Sequence, residues 1–157
     1  MGLDITAYSK IRRVECGNRD GDCWPTHANL YPSADFPDHA DGLTEGCYEH
    51  DSEYSFRAGS YSGYSAWRDT LAGLVGLSSP RNWNNSTVGT GKPFAELLYF
   101  SDCDGIIGPK TSAKLAADFA QYEAHARSVL DEYEMSKYRE WMTAFFRAAD
   151  GGVVCFH

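Results

Sequence analysis

The densest run of chemistry-bearing side chains reads Phe56-Arg57-Ala58-Gly59-Ser60-Tyr61-Ser62-Gly63-Tyr64, with Trp67-Arg68 just beyond. Two glycines bracket a turn that feeds a helical pattern. A helix N-terminus presents unpaired backbone N–H groups and the positive end of its dipole. Ser60 and Ser62 add hydroxyl donors. Arg57 and Arg68 add guanidiniums that can pair an anion through two bonds. Tyr61, Tyr64 and Trp67 offer faces on which a ring can stack. Together these groups suit a phosphate joined to an aromatic ring, a nucleotide-like ligand. No Gly-Lys-Ser/Thr terminus follows, so the turn is not a Walker loop. The expected ligand-binding set is Arg57, Ser60, Tyr61, Ser62, Tyr64, Trp67 and Arg68. Asp102, Asp104 and His157 are candidates for contacts behind it. The plainer alternative is a strand–turn–helix with surface hydroxyls.

Two shorter runs imitate known catalytic motifs. Leu97 to Gly105, with Asp102-Cys103-Asp104-Gly105 after apolar residues, resembles the first motif of haloacid-dehalogenase-type phosphatases. The resemblance implies a nucleophile at Asp102, a general acid/base at Asp104 and a Mg²⁺ ion. It covers about nine residues, and no later acidic pair follows in a chain that reads as helical from there on. Cys47-Tyr48-Glu49-His50-Asp51-Ser52-Glu53-Tyr54 resembles the Cys-x-x-His-Asp-x-x-Tyr helix of phospholipases A2, in which the His activates water and the Asp holds Ca²⁺. The glycine-rich calcium loop of that family is absent upstream. Neither a Gly-x-Ser-x-Gly elbow nor a His-Glu-x-x-His motif is present. The weight therefore falls on binding: no catalytic residue, no cofactor and no metal ligand is assigned.

These groups need a scaffold. Leu3, Ile5, Ala7, Ser9 and Ile11 alternate with polar residues, so the spacing predicts a strand over 3–14. Residues 16–46, rich in Gly and Pro, read as a long irregular loop, with Trp24, Tyr31 and Phe36 able to pin it. A strand is expected over 48–58 and a helix over 64–77. Residues 78–93 read as a loop, and 94–100 as a strand or a helical turn. Helices follow from Pro109, one with a stripe of Leu115, Phe119, Tyr122 and Ala126. The other carries Tyr133, Tyr138, Trp141, Met142, Phe145 and Phe146, and Gly151-Gly152 ends it. Residues 153–157 are expected to return as an edge strand. The order favours an α+β fold, with one small mixed or antiparallel sheet and about three helices, in a single domain over 1–157.

Composition bounds the class of function. The 157 residues carry a formal charge of −8 and are 43% hydrophobic, enough for a folded core. Ten carboxylates and one basic residue, Arg19, stand between Glu15 and Glu53. No basic face offers itself to nucleic acid. No stretch approaches the roughly 18 apolar residues of a membrane span, and no secretory leader opens the chain. The expectation is a cytoplasmic protein that binds neither nucleic acid nor membrane. Five cysteines, an odd number, read as reduced thiols. Their spacing fits no zinc template, although His27, His39 and His50 could join Cys16, Cys23 and Cys47 around a metal.

The opening Met-Gly-Leu-Asp-Ile, the run Arg57 to Tyr64 with Trp67-Arg68, Phe100 to Gly108, and Ala148-Ala149-Asp150-Gly151-Gly152 together resemble a group of small uncharacterised bacteriophage and prophage proteins. The resemblance implies a bacterial cytosol and an accessory phage role. By analogy with anti-defence proteins, the expected function is non-catalytic capture of a small phosphorylated or nucleotide-like ligand. It would act as a sponge for a host immune signalling nucleotide, in a preorganised pocket and often an oligomer. Two alternatives are a metal-dependent phosphoester hydrolase, built on Asp102 and Asp104 or on His50 and Asp51, and an acidic inhibitor that mimics nucleic acid.

Overall fold

The computed structural model describes residues 2–15, 26–83 and 91–157. The fold is α+β, with four helices and two antiparallel sheets. The larger sheet has four strands. β1 (Leu3–Ser9) lies between β5 (Ser52–Gly59) and β7 (Val153–Phe156), and β6 (Gly105–Ile107) pairs with the far side of β7. The smaller sheet holds β2 (Arg12–Arg13) and β3 (His27–Leu30) on either side of β4 (Gly46–Glu49). The helices are α1 (Tyr61–Leu74), the single turn α2 (Ala95–Leu98), α3 (Pro109–Val129) and α4 (Glu132–Ala148).

Several expectations need correction. The described residues form two sheets, not one. The strand expected over 3–14 ends at Ser9, because Lys10 takes a positive φ of 49° and turns the chain. Residues 153–157 do not form an edge: β7 is an inner strand, bonded to β1 and β6. The described part of the long loop is not structureless. It contributes β3 and a 3-10 turn at Pro37–Ala40. Trp24 lies outside the described residues. The 94–100 run resolves as a helical turn.

Alternation along β1 sorts its two faces. Leu3, Ile5 and Ala7 are fully buried toward the helices, while Asp4, Thr6 and Tyr8 face the other way. Trp141 of α4 is the centre of the helical side. Its indole stacks with Tyr64 at 5.6 Å and Phe145 at 6.0 Å, and meets Phe56 edge-on at 5.1 Å. Such ring pairs add attraction beyond the area they bury. An Asp131 capping box with Glu134 starts α4, which satisfies two of its end donors. At the other end Gly152 lets the chain pass close to β1: a Cβ there would lie 1.8 Å from the Tyr8 carbonyl oxygen.

Trp141→Ala is expected to cost roughly 3–5 kcal/mol, the range for emptying a large aromatic site. Urea unfolding followed by fluorescence and circular dichroism measures it. A loss below about 1 kcal/mol would show that the core does not centre on this ring.

Candidate functional site

The sequence-expected residues divide between two places. Arg57 lies on β5, opposite Asp4 of β1, and donates from Nη1 to both Asp4 carboxylate oxygens at 2.8 and 3.1 Å. Ser60 is the N-cap of α1: its hydroxyl oxygen accepts from the Gly63 N–H at 3.1 Å and lies 3.2 Å from Ser62 Oγ. Tyr61 is half-exposed. Tyr64 and Trp67 are buried in the core. The Tyr64 hydroxyl and the Trp67 indole N–H have no hydrogen-bond partner among the described residues, and burial pushes the Tyr64 phenol well above its ordinary value. These two rings are committed to packing.

Arg68 turns away from Arg57, under α1. It donates from Nη1 to the Phe100 carbonyl at 3.1 Å. Its guanidinium lies 4.6 Å over the Tyr64 ring and 3.9 Å from Asp102. Its Nε is buried without a partner among the described residues. Here Arg68 lines a cavity of about 220 Å³ together with Ser65, Asp69 and Arg81. Arg81 donates from Nε to Ser65 Oγ at 3.1 Å and pairs with Asp69 at 3.2 Å. The far wall is aromatic. Phe36 meets Tyr99 edge-on at 5.7 Å and Phe100 at 5.3 Å. Two guanidiniums line the pocket beside ring faces and edges, Arg81 paired with Asp69 and Arg68 with Asp102 just outside the lining.

The residues missed by sequence are Ser65, Asp69, Arg81, Phe36 and Tyr99. Ser65, Arg68 and Asp69 stand at helical spacing on one face of α1, a signal that was readable. Arg81 and the aromatic wall arrive from other elements and left no local mark.

Asp104 and His157 belong elsewhere. Both line a cavity of about 720 Å³ on the other side of the Phe100–Gly105 turn, between the two sheets. Asp102 stays with Arg68. The two carboxylates of the phosphatase-like motif therefore do not share a site, and a helical turn stands where that motif needs a strand. The phospholipase-like helix is also absent: β4 and β5 flank His50-Asp51. Asp51 pairs with Arg12 at 3.1 Å, and both nitrogens of His50 are buried without partners among the described residues. Among the described residues, no three His, Cys, Asp or Glu side chains gather as metal ligands.

The acidic segment is partly tied into the fold. Asp41 accepts from the Thr111 backbone N–H at 2.8 Å and its hydroxyl at 3.0 Å. Glu49 joins Asp51 on Arg12. Cys47 is disulfide-bonded, which corrects the expectation of reduced thiols. Cys103 and Cys155 are free. No helix among the described residues is long and apolar enough to cross a membrane. Comparison with protein-family models, curated proteins and solved structures finds no match for the chain.

Two predictions follow from the titratable groups. Burial pushes the Cys155 thiol up to about 12, so it stays protonated and inert at pH 8. Iodoacetamide labelling with peptide mapping should modify exposed Cys103 readily and half-buried Cys155 much more slowly. Equal rates would overturn the raised pKa of Cys155. Burial also lowers the pKa of His39 and of His50. The native state holds both neutral, so their contribution is full above the unfolded value near 6.5 and is lost as pH falls through the lower folded values. The urea midpoint should drop between pH 7.5 and 5.5, and His39→Gln with His50→Gln should flatten that slope. An unchanged slope in the double variant would refute the assignment.

Proposed function

We propose that the protein binds a small phosphorylated, nucleotide-like ligand without chemically changing it, and that the anionic group sits in the Arg68–Arg81 cavity. The observation that carries this reading is the convergence of two guanidiniums and the Ser65 hydroxyl beside the Phe36, Tyr99 and Phe100 rings. Arginine pairs phosphate oxygens through planar, charge-assisted bonds, and the aromatic wall gives a ring somewhere to lie. The cavity is small and open on one side, so the rest of the ligand projects over α1 and the loop that carries Phe36. Relative to the sequence expectation, Arg68 is retained, Arg81 replaces Arg57, and Phe36 and Tyr99 replace Tyr64 and Trp67. Capture rather than turnover fits the pocket chemistry: among the described residues its lining carboxylate, Asp69, is held by Arg81 and by the Ser79 hydroxyl, and the neighbouring Asp102 pairs with Arg68.

The biological setting belongs to the same proposal. A phage sponge for a signalling nucleotide needs only this capture. A cytoplasmic setting was expected from sequence, but the Cys47 disulfide points the other way, since disulfides persist in oxidising compartments.

The test is calorimetry and thermal shift with mono-, di- and cyclic nucleotides and inorganic phosphate, with and without reductant, each mixture then chromatographed. A bound ligand should raise the melting temperature and be recovered intact. Arg81→Ala should weaken binding at least about tenfold, or roughly 1.4 kcal/mol. It should leave the fold in place, because the exposed Arg81–Asp69 pair contributes at most about 1 kcal/mol. Loss of binding in Arg57→Ala but not in Arg81→Ala would return the site to the start of α1. Recovery of cleaved nucleotide would make the protein an enzyme, and no shift with any phosphate compound would sink the reading.

A further inference from the structure

Arg147 stands in the last turn of α4, and no acceptor meets it. Its Nε is buried without a hydrogen-bond partner among the described residues. Its two terminal nitrogens reach solvent and make no hydrogen bond or ion pair with those residues either. Arg12, Arg57 and Arg81 each pair with a carboxylate instead. A cation in a last helical turn offsets the negative end of the helix dipole. That accounts for the charge at this position, but not for a guanidinium sunk into the protein with none of its N–H groups bonded. Taking such a group partly out of water is costly, and an anion that reaches the terminal nitrogens offsets that cost.

The surroundings supply the rest of a site. Arg147 lines an open cavity of about 440 Å³. Met142 and Phe146, one helical turn apart, line it too. Met142 packs against the core, while Phe146 is 52% exposed. The Tyr54 ring lies 5.9 Å from the Arg147 guanidinium carbon, a cation–π contact that helps to hold the head group in place. Ser9 and Ser52 close the wall where β1 and β5 pair, with their hydroxyl oxygens 2.6 Å apart. One hydrogen serves that contact, so the pair keeps a second to donate. Asp150 stands at the rim, paired with Lys10 at 3.8 Å.

We infer that this cavity is a second binding site, independent of the Arg68–Arg81 pocket, for a small monocarboxylate carried on an apolar or aromatic body. The planar fork of arginine matches a carboxylate through two parallel bonds. The Phe146 ring and the Met142 side chain give the body apolar surface to cover. One guanidinium balances one negative charge. The Asp150 carboxylate adds repulsion that grows with the charge of the ligand, so a phosphate dianion is the poorer fit. The volume lies within the range of small-molecule sites.

Titration with benzoate, benzamide and inorganic phosphate, followed by nuclear magnetic resonance of the α4 backbone amides, tests the inference. Benzoate should saturate at millimolar concentration and shift the Thr143, Phe146 and Arg147 signals. Benzamide keeps the ring and loses the charge, so it should bind at least about tenfold more weakly. Phosphate should leave these signals unmoved. Arg147→Gln should weaken benzoate at least about tenfold, while Arg81→Ala should not change it. That contrast separates this site from the phosphate pocket. No saturation by benzoate, equal binding of benzamide, displacement of benzoate by phosphate, or unchanged binding in Arg147→Gln would overturn the inference. Should Arg147→Gln fail to fold, Phe146→Ala decides, since its ring is half-exposed: a loss of at least about threefold supports the site, and unchanged affinity refutes it.

Discussion

Much of the structure depends on one pairing: β1 with β7. Ile5 to Tyr8 lie against Phe156 to Val153 in antiparallel register, and Thr6 reaches His157 across 151 positions of sequence. Closing so long a loop is entropically costly, and the local ladder alone does not offset it. The offset comes from the faces. Ile5, Ala7, Val154 and Phe156 join the aromatic cluster around Trp141. On the opposite face, Tyr8 and Cys155 pack against the smaller core of Ala28, Leu30, Tyr48 and Ile106. β7 therefore supports both layers at once, and β6 can pair only because β7 is already in place.

The Phe100–Gly105 turn distributes this stability to the two cavities. The Phe100 carbonyl fixes Arg68 on one side, and the Phe100 ring packs on Phe156, at 4.7 Å, and on Phe36. Four residues later Asp104 reaches the other cavity. The turn is itself held by Ser101, whose oxygen accepts from the Cys103 and Asp104 N–H groups. One short segment thus separates an arginine-lined pocket from one that holds Asp104. Local chemistry decides what each can take: the larger volume is the poorer phosphate site, because no lysine or arginine among the described residues lines it.

The α+β class, the long helices and the helix stops were readable because their signals are local. A capping box, a 3.6-residue stripe at Leu115, Phe119, Tyr122 and Ala126, and Gly151-Gly152 each act within a turn or two of chain. Arg57 and Arg68 looked like partners for the same reason: they stand close in sequence and share a chemical type. A strand ending at Gly59 and a helix starting at Tyr61 nevertheless send their side chains to different faces. Arg57 meets Asp4 through a ladder, and Arg68 meets Arg81 through a loop return. Neither meeting leaves a trace in sequence spacing. Tyr64 and Trp67 were misread as ligand faces for a related reason, since rings at helical spacing serve a core as readily as a site.

The polar residues on β1 show where such traces do persist. Asp4, Thr6 and Tyr8 interrupt an otherwise apolar strand, and strict alternation places all three on one face. A face turned only toward solvent gives no reason for Thr6 to be 6% exposed. It is buried because His157 and Ser55 bond it from both sides and the second sheet closes over that face. A buried hydroxyl tied into a chain that ends on an imidazole is costly unless every member is satisfied. Among the described residues the chain has partners at each step down to Glu53, and its open end is the His157 ring at the cavity wall. In a strand otherwise built for packing, that row fixes one imidazole in the wall of the cavity between the two sheets.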